Sequence, residues 1–374
     1  MGSWRYLTAA AVSAPDGLAA DEALMRAYQR NQSSDFDATL RLYTYRSHCA
    51  LIGRFQNLDD EVDLDACRAR GLQYGRRPTG GGTIIMGEDQ LGVAVCTRAP
   101  GGIAPRDLLR LYSDAVLIGL ERLGIRATFR PKADLEVQGR KIGGMGIYID
   151  DRGALLFHAS ILADLDIPLM LQVLKIPGAT GNERGADRVA ERMTSVTQEL
   201  GRKTTGLDIR DEIHDAFAEA LGIDLQLGAL DEHELEVSRE LVADKYASES
   251  WIRQRSPEPN AFGSASLKTP AGFVRVYVGV REETIRSILV TGDFNTQPRG
   301  VAQLEAGLKW SRLDHDRIAA VCEKALDSDE LGVKPPLIAH AIVQAATRAM
   351  ERDRQAHPVR PTGSCYYPED AADN

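Results

Sequence analysis

Along the chain, apolar positions switch between a period of two and a period near 3.6, and each switch marks an element. Residues 7–12 read as a first strand. After a turn at Pro15-Asp16-Gly17, the positions Leu18, Ala19, Ala23, Leu24, Ala27 and Tyr28 predict a helix over 18–29. The alternation Leu40-Arg41-Leu42-Tyr43-Thr44-Tyr45 predicts a strand, as does Ala50-Leu51-Ile52, which runs into the polar loop Gly53-Arg54-Phe55-Gln56-Asn57. A helix over 62–70, closed by Gly71, leads on to Tyr74. Strands are predicted over 91–97, 134–137, 141–149 and 154–162. A long amphipathic helix opens at Pro105 and ends at Gly124, and further helices are expected at 169–174 and 208–221.

Many strands with segregated helices predict an α+β first domain over 1–228 rather than a doubly wound parallel sheet. A charged helical connector follows at 229–252. Strands at 272–278 and 287–291, then helices near 301–308, 316–325 and 336–350, predict a small α+β accessory domain over 253–350. A polar, proline-bearing tail, 351–374, ends the chain, and 177–189, polar and rich in glycine, reads as a candidate mobile lid.

Composition narrows the function. A net charge of -9 argues against a nucleic-acid binder, although a local basic pocket remains open. The five cysteines (Cys49, Cys67, Cys96, Cys322, Cys365) are scattered and lack metal-site spacing, so free thiols in a cytoplasmic protein are expected. No apolar run is long enough to span a bilayer, and Tyr6 stands where a myristoylation signal needs Ser or Thr. A monomer is the default.

One stretch carries most of the chemistry: Arg76-Arg77-Pro78-Thr79-Gly80-Gly81-Gly82-Thr83-Ile84-Ile85. Three glycines permit close backbone approach, successive amides can cradle an anion, and two arginines supply forked donors. On spacing alone this is equally a glycine-rich hairpin with a solvated basic flank. No Gly-Lys-Ser/Thr follows, so it is not a Walker A loop, and Gly144-Met145-Gly146 lacks the third glycine of a dinucleotide fingerprint. Lys141, followed by Gly143-Gly144, can place a point charge beside bare backbone; standing alone it also reads as a solvated turn lysine. His158 by itself reads as a structural histidine.

Taken together, four segments resemble the lipoate–protein ligase A family of the biotin/lipoyl ligase superfamily. They are Ile52-Gly53-Arg54-Phe55-Gln56-Asn57, the Arg76–Thr83 glycine loop, Asp134-Leu135-Glu136-Val137 with Gly139-Arg140-Lys141-Ile142-Gly143-Gly144, and Leu156-Phe157-His158-Ala159-Ser160-Ile161-Leu162. The resemblance implies that lipoate and ATP, with magnesium, form lipoyl-adenylate, which acylates a lysine of a lipoyl carrier protein. It implies Lys141 as the catalytic cation. Arg77, Gly82, Thr83, Ile84, Ile85, Lys141 and Asp134 would bind ATP or adenylate, with Asp134 also the candidate magnesium ligand. Arg76, Thr79, Gly80, Gly81, Lys141, Gly143 and His158 would bind the lipoyl group. Two departures stand out: Met86-Gly87 replaces the family's His-Asp pair, and Ala133 replaces the Asn before Asp134.

Two alternatives compete. An octanoyl or lipoyl transferase of the same superfamily needs an acyl-accepting cysteine, and residues 127–137, where one such subfamily carries it, contain none. A non-catalytic lipoyl-binding protein would not require a phosphate-handling set.

Overall fold

Pro15 starts a helix where a turn was expected. Helix α1 (Ala14–Arg26) holds it in the first turn, where its missing N–H costs nothing, and the Ser13 side chain accepts from the Asp16 amide at 3.3 Å. The computed structural model describes residues 3–30, 32, 34–130, 133–176, 183–257, 262–269, 272–294, 299–327 and 333–356. These form two units, one of Met1–Ser256 with Asp293–Gln297, the other of Pro257–Gly292 with Pro298–Asn374.

The strands of the first unit are β1 (Ser3–Val12), β2 (Ala38–Tyr45), β3 (Cys49–Ile52), β4 (Gln73–Arg76), β5 (Ile84–Met86), β6 (Gln90–Arg98), β7 (Thr128–Arg130), β8 (Asp134–Val137), β9 (Arg140–Ile149), β10 (Ala154–Leu162) and β11 (Asp224–Leu227). Eight of them build a mixed sheet in the order β11-β1-β2-β6-β10-β9-β8-β7, parallel at the β11-β1-β2 edge and antiparallel elsewhere. A second sheet, β4-β3-β5, carries the glycine loop between β4 and β5. The fold is α+β.

Alternation along the strands sends Val93, Val95, Leu155, Phe157 and Ile161 to one face of the large sheet. There they pack on α4 (Pro105–Arg122) and α8 (Arg210–Leu221) through Tyr112, Val116, Ile213 and Phe217. The intervening Ala94, Cys96 and Leu156 face the opposite side, against Leu18 and Leu24 of α1. That second face also carries the polar side chains described below.

Between those helices run α2 (Leu58–Glu61), α3 (Leu64–Arg70), α5 (Ile167–Val173), α6 (Glu183–Ala190) and α7 (Val196–Leu200). The expected helix over 62–70 begins only at Leu64, because Val62 is extended and Asp63 caps α3; the separate short α2 precedes it. Of the expected lid, α6 is described, whereas 177–182 lie outside the described residues.

The connector lies within the first unit and packs on α1. Helix α9 (Glu232–Leu241) opens with a capping box of Asp231 and Glu234, and Glu234 also pairs with Arg5. One wide helical turn then brings Lys245 and Tyr246 onto Glu22 of α1, and α10 (Glu249–Ile252) follows. Burial alone would raise the Glu22 carboxyl, but Lys245, Tyr246 and Arg26 outweigh it and hold it below its ordinary 4.5. A carboxyl depressed in the folded state stabilises above its unfolded pKa and loses that contribution as pH falls through the folded value. Glu22→Gln is therefore expected to lower stability at neutral pH and to flatten acid unfolding below 4.5, measured by circular dichroism against the unmodified chain.

The second unit is an antiparallel meander of β12 (Gly263–Thr269), β13 (Gly272–Arg281) and β14 (Thr284–Gly292), with α11 (Arg299–Leu308), α12 (His315–Ala325) and α13 (Pro335–Ala356). No helix among the described residues is long and apolar enough to cross a membrane.

Candidate active site

The glycine loop is held from behind by its own arginines. Arg76 is fully buried, and its guanidinium donates to five carbonyls, those of Gly53, Arg54, Gln56, Trp251 and Ile252, at 2.7–3.1 Å. Burial pushes this group down to about 9, with Arg255 and Arg54 adding to the effect. Arg77 donates through Nη1 to Leu51 at 2.8 Å and through Nη2 to Gly80 at 2.9 Å and Gly82 at 2.6 Å. These arginines shape the loop, and the expected phosphate donor Arg77 has both terminal nitrogens committed to backbone.

Gly53 lets the loop close, because a Cβ there would stand 1.9 Å from the Gly81 carbonyl. Gln56 Oε1 accepts from Gly53 N at 2.7 Å and from the Thr83 hydroxyl at 3.0 Å. Ile84 and Ile85 lie in β5, Ile85 with its side chain in the core.

Opposite the loop, β9 presents bare backbone. Thr79 packs on Gly146, 3.3 Å from where a Cβ would sit. Lys141 lies across Gly144, its Nζ 3.1 Å from the corresponding point, and pairs with Asp134 Oδ1 at 2.6 Å. Gly143 turns to the other side, toward the Ser160 carbonyl and Leu135. In the β9–β10 register Gly144 faces Ser160 and Gly146 faces His158. Lys141, Asp134, Thr79, His158 and Ser160 therefore gather over one glycine-paved face.

Beneath it, Asp21 of α1 is fully buried and holds three partners: Arg41 Nη1 at 2.6 Å, His158 Nε2 at 2.8 Å and the Tyr43 hydroxyl at 3.0 Å. Burial would raise its carboxyl, yet Arg41 and His158 hold it below the ordinary range.

Among the described residues no three or more His, Cys, Asp or Glu side chains cluster to hold a metal. Asp134, the expected magnesium ligand, is engaged by Lys141. The four described cysteines are buried, and burial raises every thiol, Cys49 and Cys322 to about 12. Cys365 lies outside the described residues.

The family model of the lipoyl protein ligase A/B catalytic domain matches residues 13–218. The chain belongs to that family. Octanoyltransferase LipM of Symbiobacterium thermophilum is 34% identical over 67% of this chain and 97% of its own length. Lipoate-protein ligase A subunit 1 of Thermoplasma acidophilum is 30% identical over 63% of this chain and 90% of its own. Among solved structures, the bipartite lipoate protein ligase of that archaeon superposes with a TM-score of 0.62 at 28% identity, covering 69% of this chain and 99% of its own. Plasmodium falciparum LipL1, at 14% identity and a TM-score of 0.69, shares the fold over 91% of this chain and 100% of its own.

In this lipoyl protein ligase A/B family member, the Ala133 departure acquires a physical reading. Ala133 adopts φ 64, a left-handed conformation that Asn tolerates far better than Ala. The chain keeps the bend and gives up the side chain. Asp21 and Arg41 escaped the sequence reading; the signal available was an acid on the apolar stripe of α1 and a lone arginine within an alternating strand.

Proposed function

We propose that this chain transfers a lipoyl or octanoyl group to the ε-amine of a lysine on a lipoyl carrier protein. The observation that carries this reading is the Lys141 ammonium, braced by Asp134 and laid across Gly144 beside the glycine loop. Bare backbone accommodates an extended acyl chain, and a fixed cation faces the charge that develops on the acyl carbonyl oxygen and leaving group during attack.

The donor distinguishes two routes. Three matched relatives are named octanoyltransferase LipM, which supports transfer of an octanoyl group, with an octanoylated carrier as the donor and no ATP. A second reading, adenylation of the free acid by ATP, is favoured by the cysteines: 127–137 contain none, and the four described thiols are buried and hard to ionise. A solved lipoate-protein ligase A with bound ATP also superposes on this chain, with a TM-score of 0.58 at 27% identity. In that case Lys141 would meet the α-phosphate.

Purified protein should be given a lipoyl domain as acceptor and either octanoylated carrier or free octanoate or lipoate with ATP and magnesium. The acceptor mass and pyrophosphate are then measured. An acyl shift without ATP is expected for a transferase, and a shift with matched pyrophosphate only with ATP for a ligase. No shift from any donor would remove the enzyme reading.

A further inference from the structure

We propose that His158, oriented by Asp21, accepts the proton from the carrier lysine during acyl transfer; this rests on the acyl-transfer reading above. A lysine nitrogen that attacks an acyl carbon must shed a proton, and a positioned base accelerates that step. Lys141 cannot serve while it is a cation paired with Asp134.

The geometry around His158 fits the task. Its Nε2 lies 2.8 Å from the Asp21 carboxylate, and Asp21 is already balanced by Arg41 at 2.6 Å. A carboxylate oxygen accepts, so the hydrogen of this bond sits on Nε2 and Nδ1 is the ring nitrogen left to take a proton. Among the described residues nothing hydrogen-bonds Nδ1. Asp21 is inaccessible, whereas 12% of the His158 side chain is exposed. The register sets His158 opposite Gly146 and one alternate position from Gly144, over which the Lys141 ammonium lies. The charged and titratable neighbours are thus Asp21 on α1, Arg41 and Tyr43 on β2, and the Lys141–Asp134 pair along the same face. Base, orienting acid and electrostatic cation occupy one surface.

In the step, the amine nitrogen bonds to the acyl carbon and the bond to the leaving group breaks with its electron pair. That group departs as thiolate or phosphate according to the donor. One amine proton passes to His158 Nδ1.

The test compares His158→Gln with the unmodified enzyme, using one acyl donor and two acceptors, the lipoyl domain and hydroxylamine. Hydroxylamine is uncharged at neutral pH and needs no strong base. In His158→Gln, transfer to the lipoyl domain is expected to fall about 10²-fold further than transfer to hydroxylamine, any loss of acyl binding being common to both acceptors. His158→Asn provides the same comparison if the Gln variant does not fold. Equal loss toward both acceptors, or undiminished transfer to lysine, would overturn the assignment of His158. An unmodified enzyme that acylates neither acceptor would instead overturn the acyl-transfer reading, and this one with it.

Discussion

Lys141→Ala is expected to slow acyl transfer by about 10²–10³-fold, the scale on which loss of one preorganised transition-state donor is felt. Folding should be little affected. The side chain is 34% exposed and its partner Asp134 is 23% exposed, so truncation leaves neither a cavity nor a deeply buried charge. Lys141→Arg should not restore the rate, because a planar fork cannot reproduce a compact ammonium lying over Gly144, 3.1 Å from where a Cβ would sit. Single-turnover transfer with saturating donor is the measurement, with thermal unfolding as the control. A variant that keeps its rate would remove Lys141 from the reaction and with it the observation on which the functional reading stands.

The second large effect falls on stability. Arg76→Met is expected to destabilise the first unit by about 3 kcal/mol or more, since each buried carbonyl left unpaired costs on the order of 1–3 kcal/mol. Five carbonyls converge on this one guanidinium, from the Gly53–Gln56 turn and from residues 251 and 252. Methionine fills similar volume, so the loss reflects hydrogen bonding rather than a void. Arg76→Lys should recover little, having three donors on a single atom in place of five around a plane. The urea midpoint reads the effect; a shift within experimental error for both variants would show that the cage is incidental.

Lys141 and Arg76 mark the boundary between what a linear chain discloses and what only its folding decides. The glycine loop, the Lys141 strand and the His158 strand are visible in sequence because their chemistry is local: a glycine run, a lysine before two glycines, an alternating pattern. Strands over 91–97, 141–149 and 154–162 are legible for the same reason, matching β6, β9 and β10. Arg76 looks like a ligand-facing cation because sequence reports that a guanidinium is present, not which way it points. Its acceptors include residues more than 170 positions away. Asp21 is hidden likewise, its partners 20, 22 and 137 positions distant. Strands β11 and β12 go unread because both are edge strands. Asp224–Leu227 alternates but spans only four residues and is largely exposed, and Gly263–Thr269 offers a single large apolar side chain, Leu267.

The family model ends at residue 218, yet the loop at the centre of the site is supported from beyond it. Trp251 and Ile252 supply carbonyls to Arg76, the Trp251 indole donates back to the Arg76 carbonyl at 2.9 Å, and Lys245 and Tyr246 engage Glu22 on α1. A chain cut at residue 218 would keep every residue of the glycine face but strand a buried cation and a buried acid. The smallest piece able to stand alone is thus set by where two buried charges find their partners, which places its boundary after residue 252 rather than where the family model ends.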